Sequence, residues 1–168
     1  FENICDLVGI ESIGGPVEFV LKRPTWSKSA PITNDSFWNA QGTVAAVLSQ
    51  LVEMGVLNIS NKDSATITVD NIANVRIDSE NCFDLFAKLE LLLQADILKE
   101  IRFNVIKDDV SMQLEMLSEG EKQLAQLLCL LEATKEYRAL FLLDEFDSFL
   151  HPNWQRRFAE IISEIEIT

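Results

Sequence analysis

Two stretches of the chain combine residue types that bind ions or move protons. The first is Leu117-Ser118-Glu119-Gly120-Glu121-Lys122-Gln123, at the head of a periodic apolar segment. Ser118 with Glu121 three residues on is a capping box, in which the hydroxyl and the carboxylate each take up an N–H that a first helical turn leaves unpaired. Capping leaves Gly120 unexplained, because a glycine in a helix costs about 0.5–1 kcal/mol against alanine. A glycine there clears space where something must come close. The first turn presents unpaired amides at the positive end of the helix dipole, which is the chemistry of an anion site. On this stretch alone, capping and phosphate binding both stand. The second stretch is Ala139-Leu140-Phe141-Leu142-Leu143-Asp144-Glu145, two carboxylates behind an unbroken apolar run. Like charges repel and a strand end needs no acid pair. Mg²⁺ supplies a reason, since it takes oxygen ligands and brings nucleotide phosphates with it. Asp144 would hold the metal, directly or through water, and Glu145 would orient and deprotonate the attacking water. A solvated acidic turn is the plainer alternative.

The elements that must position these residues are regular. Ile101, Phe103 and Val105 alternate with Arg102, Asn104 and Ile106, and Val110, Met112, Leu114 and Met116 alternate again after Lys107-Asp108-Asp109. That predicts a β-hairpin with one buried face. A helix is expected from Glu119 to Thr134, with Leu124, Leu127, Leu128 and Leu131 at helical spacing. Residues 139–143 read as a strand buried on both faces. Pro152 suits the first position of a last helix running to Ile165. A helix of about 15 residues runs about 22 Å, and a five-residue strand returns about 17 Å. Asp144 is therefore expected near the level of Ser118, and ligands of open α/β sheets bind at such carboxyl strand ends.

The first hundred residues are less regular. Gly14-Gly15-Pro16 predicts a turn, followed by a weak strand with Val17, Phe19 and Leu21 on one face. Residues 24–36 read as a loop. Asn34–Ser36 would cap a helix whose apolar positions are Val44, Val47, Leu48, Leu51 and Val52, ending at Gly55. Residues 65–69 and 72–77 read as short strands. Ser79 would cap a second helix over 80–99, with Phe83, Phe86, Leu89, Leu93 and Ile97 on one side. This region reads as an ordinary αβ lobe without visible chemistry.

The 168 residues carry a formal charge of −13. A surface that acidic repels phosphate backbones, so nucleic acid is expected only through a larger assembly. Cys5, Cys82 and Cys129 are widely spaced and form no C-x-x-C pattern, which argues against a disulfide framework or zinc site and for a reduced compartment. No apolar run reaches the roughly 18–20 residues of a membrane span, and no signal peptide is visible. A cytoplasmic protein without membrane contact is expected. The chain opens on Phe1 rather than Met and stops inside the pattern Ile161, Ile162, Ile165, Ile167, which reads as a piece of a longer protein.

LSEGEKQ, ALFLLDE and FDSFLHPNWQ, in that order, resemble the signature motif, Walker B and D-loop of the ABC-type ATPase superfamily over residues 101–168. The resemblance is to the soluble branch of Rad50, SMC, RecF and OLD proteins, and LLDEFDSFLHPNWQ particularly resembles the ATPases of anti-phage systems such as Septu and certain retrons. It implies a fold class of α/β type. Residues 101–168 would form the C-terminal signature and Walker B lobe of an ATPase head, and residues 1–100 an αβ insertion or arm between Walker A and the signature. It implies ATP and Mg²⁺ as cofactors. Two heads would meet head to tail, as a homodimer or higher homo-oligomer, on two ATP molecules. Ser118, Glu119, Gly120 and Lys122 would then bind the nucleotide held by the opposite head. Asp144 would hold the metal, Glu145 would be catalytic, and Asp147 and His151 would lie in the D-loop at the dimer interface. For His151, the only histidine, a plain helix-start role outweighs a catalytic one.

No Walker A is present. The nearest match, Gly9 to Gly15, lacks the Lys and Ser/Thr that the motif needs, so this stretch alone should be inactive. The function implied is an ATPase that controls an associated effector, such as a nuclease or toxin, in anti-phage defence. A repair or chromosome-maintenance ATPase of the Rad50/RecF kind and a non-hydrolysing nucleotide-gated clamp are the alternatives.

Overall fold

The computed structural model describes residues 9–28, 30–71, 75, 82–134, 140–142, 152, 155 and 156. Along the chain run β1 (Ser12–Lys22), β2 (Ile32–Thr33), β3 (Ser36–Phe37), α1 (Gly42–Met54), β4 (Val56–Asn61), β5 (Ser64–Val69), α2 (Cys82–Gln94), β6 (Leu98–Lys107), β7 (Val110–Gln113), a 3₁₀ turn (Leu114–Met116) and α3 (Glu119–Thr134). The fold is mixed α/β. Five strands form one sheet in the order β4-β5-β1-β6-β7, and β2 pairs with β3. The β1–β5, β4–β5 and β2–β3 pairings are all antiparallel. The chain divides into two compact units, Ile13–Val105 and Phe1–Ser12 with Ile106–Thr168. Among the described residues, no helix is long and apolar enough to cross a membrane.

In the unit Ile13–Val105, alternation decides the sheet's inner face. Val17, Phe19 and Leu21 of β1 stand directly opposite Val69, Ile67 and Ala65 of β5, and all six are essentially inaccessible. Slipping the register by one residue would turn every one of them outward, so this face fixes the pairing. Val47, Leu48 and Leu51 of α1 and Leu92 of α2 complete the core. Trp38 is fully buried at φ 52°, a conformation unfavourable for a bulky residue. Burial of the ring and a 2.8 Å bond from its Nε1 to the carbonyl of Lys62 hold it there.

Several expectations fail in this unit for local reasons. Gly14-Gly15-Pro16 is not a turn but lies inside β1. The β5 pairing begins only at Val17, so the missing Pro16 N–H removes no bond to β5. Asn34–Ser36 does not cap α1. Asn34 and Asp35 close the β2–β3 hairpin instead, between Thr33 and Ser36, and α1 begins at Gly42 without a side-chain cap. The second helix ends at Gln94, not near residue 99. Its end is a Schellman motif, with bonds from the Asp96 amide to the Leu93 carbonyl (3.0 Å) and from the Ile97 amide to the Leu92 carbonyl (3.1 Å). Asp96 takes the left-handed position at φ 61°, and Ile97 and Leu92, the apolar pair such motifs bring together, are both fully buried. The buried stripe of α2 is also rotated. Leu85, Leu89 and Leu92 meet the core, while Phe86 and Leu93 are half exposed. Val75 is buried outside any strand, and the rest of the strand expected over 72–77, like Ser79, lies outside the described residues.

Candidate functional site

The candidate site belongs to the unit of Phe1–Ser12 and Ile106–Thr168. Its approach is the turn between β6 and β7. Asp108 and Asp109 both have positive φ, 51° and 60°, the geometry of a two-residue type I′ turn, here built with aspartates where glycine or asparagine is usual. The Asp109 amide is taken up by Glu11 Oε1 at 3.3 Å. The strand after the turn is shorter than the alternation predicts. β7 ends at Gln113 and Leu114–Met116 form the 3₁₀ turn. The expected single buried face does not continue along this arm, since Val110 is 54% and Met116 72% exposed.

Leu117 is buried, and α3 starts immediately after Ser118. The capping box is formed: the Ser118 amide donates to Glu121 Oε2 at 2.8 Å, and the Glu121 amide donates to Ser118 Oγ at 3.3 Å. The Ser118 hydroxyl also donates to the same Oε2, at 2.8 Å. The first intrahelical bond runs from the Lys122 amide to the Ser118 carbonyl, 3.0 Å. Gly120 is buried in the first turn. Among the described residues, the amides of Glu119 and Gly120 meet no acceptor.

Two ion pairs balance the tip. Lys122 pairs with the exposed Glu119, and Lys107, at the end of β6, pairs with Glu121 Oε1. Burial pushes the Glu121 carboxyl up, but the bonds from Lys107 and from the Ser118 hydroxyl and amide outweigh it and hold its pKa below the ordinary value of 4.5. Lys107 escaped the sequence reading. It stands 14 residues before Glu121 and reads as a turn residue, and no periodicity links the two.

Ser118, Glu119, Gly120 and Lys122 are thus brought together within the start of α3. Leu124 and Leu128 are buried on its inner side. Asp144, Glu145, Asp147 and His151 lie outside the described residues, as do the 135–138 connection and most of the last helix, of which Pro152, Gln155 and Arg156 are helical. The strand expected over 139–143 is corrected where it is described. Leu140, Phe141 and Leu142 belong to no strand, and both leucines are 85% exposed. A central strand needs a partner along each edge and apolar cover on each face, and the described residues give these three neither. No group of three or more potential metal ligands occurs among the described residues.

The family described as "AAA domain, putative AbiEii toxin, Type IV TA system" matches residues 11–168. No curated protein and no solved structure matches the chain significantly.

Proposed function

The chain belongs to that AAA-domain family, and from this premise we propose that it is the signature-bearing part of an ABC-type ATPase that dimerises head to tail on ATP and controls an effector. Family membership supports ATP binding and ATPase chemistry as a class. The family's description as toxin-linked favours an effector partner, a nuclease or toxin in anti-phage defence, over a repair role. The narrower likeness to Septu and retron ATPases rests on LLDEFDSFLHPNWQ alone.

One observation carries the reading: α3 opens with a serine hydroxyl, a buried glycine and two amides without an acceptor. That set fits the oxygens of a phosphate arriving from outside the chain. The hydroxyl has one proton, which it donates to Glu121 Oε2. It must turn to reach a phosphate, while its oxygen keeps the Glu121 amide and the helix stays capped. Residues 1–100 would be the insertion or arm of the head, and residues 101–168 its signature lobe. Asp144 has the hard oxygen chemistry that suits Mg²⁺, which when bound would neutralise phosphate charge. Glu145 would take the proton of the attacking water, and Asp147 and His151 would lie where two heads meet.

The test is Glu145→Gln in the full-length protein. ATP binding should persist, hydrolysis should fall by about two decades or more, and the ATP-bound dimer should live longer. Unchanged turnover overturns the role of Glu145.

A further inference from the structure

β4 closes one side of the five-stranded sheet, with β5 as its ladder partner. Among the described residues, the backbone groups that β4 turns away from β5 meet no partner. Edge strands are ordinarily blunted by charge or proline. Val56-Leu57-Asn58-Ile59-Ser60-Asn61 has neither, in a chain of which 24% of the residues are charged. Its one blunting feature is a shift of register between Ile59 and Asn61, which bends the far end and leaves Val56–Ile59 regular. Leu57 and Ile59 stand opposite Ile67 and Ala65 of β5, both buried, so they lie on the core face of the sheet. Ile59 is nevertheless 49% exposed, because the core face runs out to the edge without cover.

The charges at the two ends of β4 say what fits there. Glu53 and Asp70 stand at the end where β4 begins and β5 finishes, and Lys62 follows the last residue of β4. All three are exposed, and none has an ion pair among the described residues. Asp63, by contrast, is taken by Arg23. A second β4 running antiparallel brings the lysine end of each copy beside the acidic end of the other. A parallel one would set like charges together. Between the ends, β4 adds no charge to repel its own copy, although the chain as a whole carries −13.

We propose that β4 is a self-association edge: two copies of the chain pair β4 to β4, antiparallel, about a two-fold axis perpendicular to the sheet. Such an axis keeps both core faces on one side, so one residue must stand opposite its own copy. Centring on Asn58 sets Leu57 of each copy opposite Ile59 of the other, within the regular stretch, and covers the exposed isoleucine. The contact closes as a dimer. It needs no nucleotide and is separate from any contact made on ATP. It is short, and therefore weak.

The test is sedimentation of the full-length protein without nucleotide. Wild type should show a reversible monomer–dimer equilibrium with a Kd of about 1 μM–1 mM. Asn58→Lys sets two ammonium groups opposite each other and should raise the Kd about tenfold or more. Asn58→Asp should do the same with two carboxylates. An equal mixture of the two variants should pair to within about threefold of wild type, a rescue that mere damage to the strand does not give. Wild type that stays monomeric to about 1 mM overturns the proposal and leaves the edge to another segment or another protein. A dimer that Asn58→Lys leaves unchanged, or one that the mixture does not restore, overturns it as well. Should Asn58→Lys fail to fold, as judged by its melting curve, Val56→Lys takes its place, at a position 63% exposed on the same edge: an unchanged Kd overturns the proposal.

Discussion

At the residue scale, Glu121 ties the cap, the ion pair and the start of α3 together. Its three bonds to Ser118 and Lys107 favour the ionised form, so its pKa in the folded chain lies below the ordinary 4.5. A carboxyl depressed by folding stabilises the fold fully above its unfolded pKa and loses that contribution as pH falls through the folded one. Glu121→Gln keeps one acceptor oxygen but no charge. It should lower the unfolding free energy at pH 7 by about 1 kcal/mol, and the gap to wild type should close as pH falls below 4.5. Urea midpoints at pH 7, 5 and 3 check this; a gap that stays constant would mean that the carboxylate charge contributes nothing. The same network shows what one dimension can reveal. The Ser118–Glu121 box is legible because its members are three residues apart. Lys107 is not, because its meeting with Glu121 depends on how a turn of two left-handed aspartates directs the end of β6.

At the element scale, legibility follows the number of independent signals. The bounds of α3, Glu119–Thr134, agree with the expected helix, because a capping box and a single leucine stripe point the same way and outweigh the cost of the glycine in its first turn. The α2 segment is apolar nearly all round, so periodicity offered two stripes, and the core took Leu85, Leu89 and Leu92. β4, Val56–Asn61, went unread because only Leu57 of its six residues is partly covered, which leaves no alternation to see. Gly55 marks the end of α1 as expected, but for a different reason. Its φ is −142°, extended rather than left-handed. A Cβ there would stand 2.5 Å from the Thr68 carbonyl oxygen and 2.9 Å from a Val69 methyl. The glycine is therefore required by the close approach of β5. Gly55→Ala should destabilise the protein by about 1–3 kcal/mol, as an overpacked core contact does. Thermal unfolding measures it, and a wild-type melting temperature would show that β5 yields freely.

At the scale of the whole molecule, the division into units changes the meaning of the net charge. Cut at residue 100, the chain is almost evenly acidic, −7 and −6. Cut where the structure divides, Ile13–Val105 holds 11 acidic and 8 basic residues, net −3, and the other unit holds 16 and 6, net −10. The unit that carries the α3 tip thus concentrates the negative charge. The four tip residues cancel among themselves, so the unit's net negative field comes from its other residues. Such a field disfavours long polyanions far more than a compact phosphate group whose charge is met by a metal ion, because each phosphate along a duplex adds its own repulsion. The 168-residue chain should therefore bind a duplex DNA of about 30 base pairs more weakly than the ~10⁻⁴ M end of ordinary non-specific affinity at physiological salt. Fluorescence anisotropy with a labelled duplex measures it. A micromolar midpoint that weakens with added salt would show basic residues gathered on one face strongly enough to override the net charge. Nucleic-acid contact would then belong to this chain itself rather than to an assembly around it.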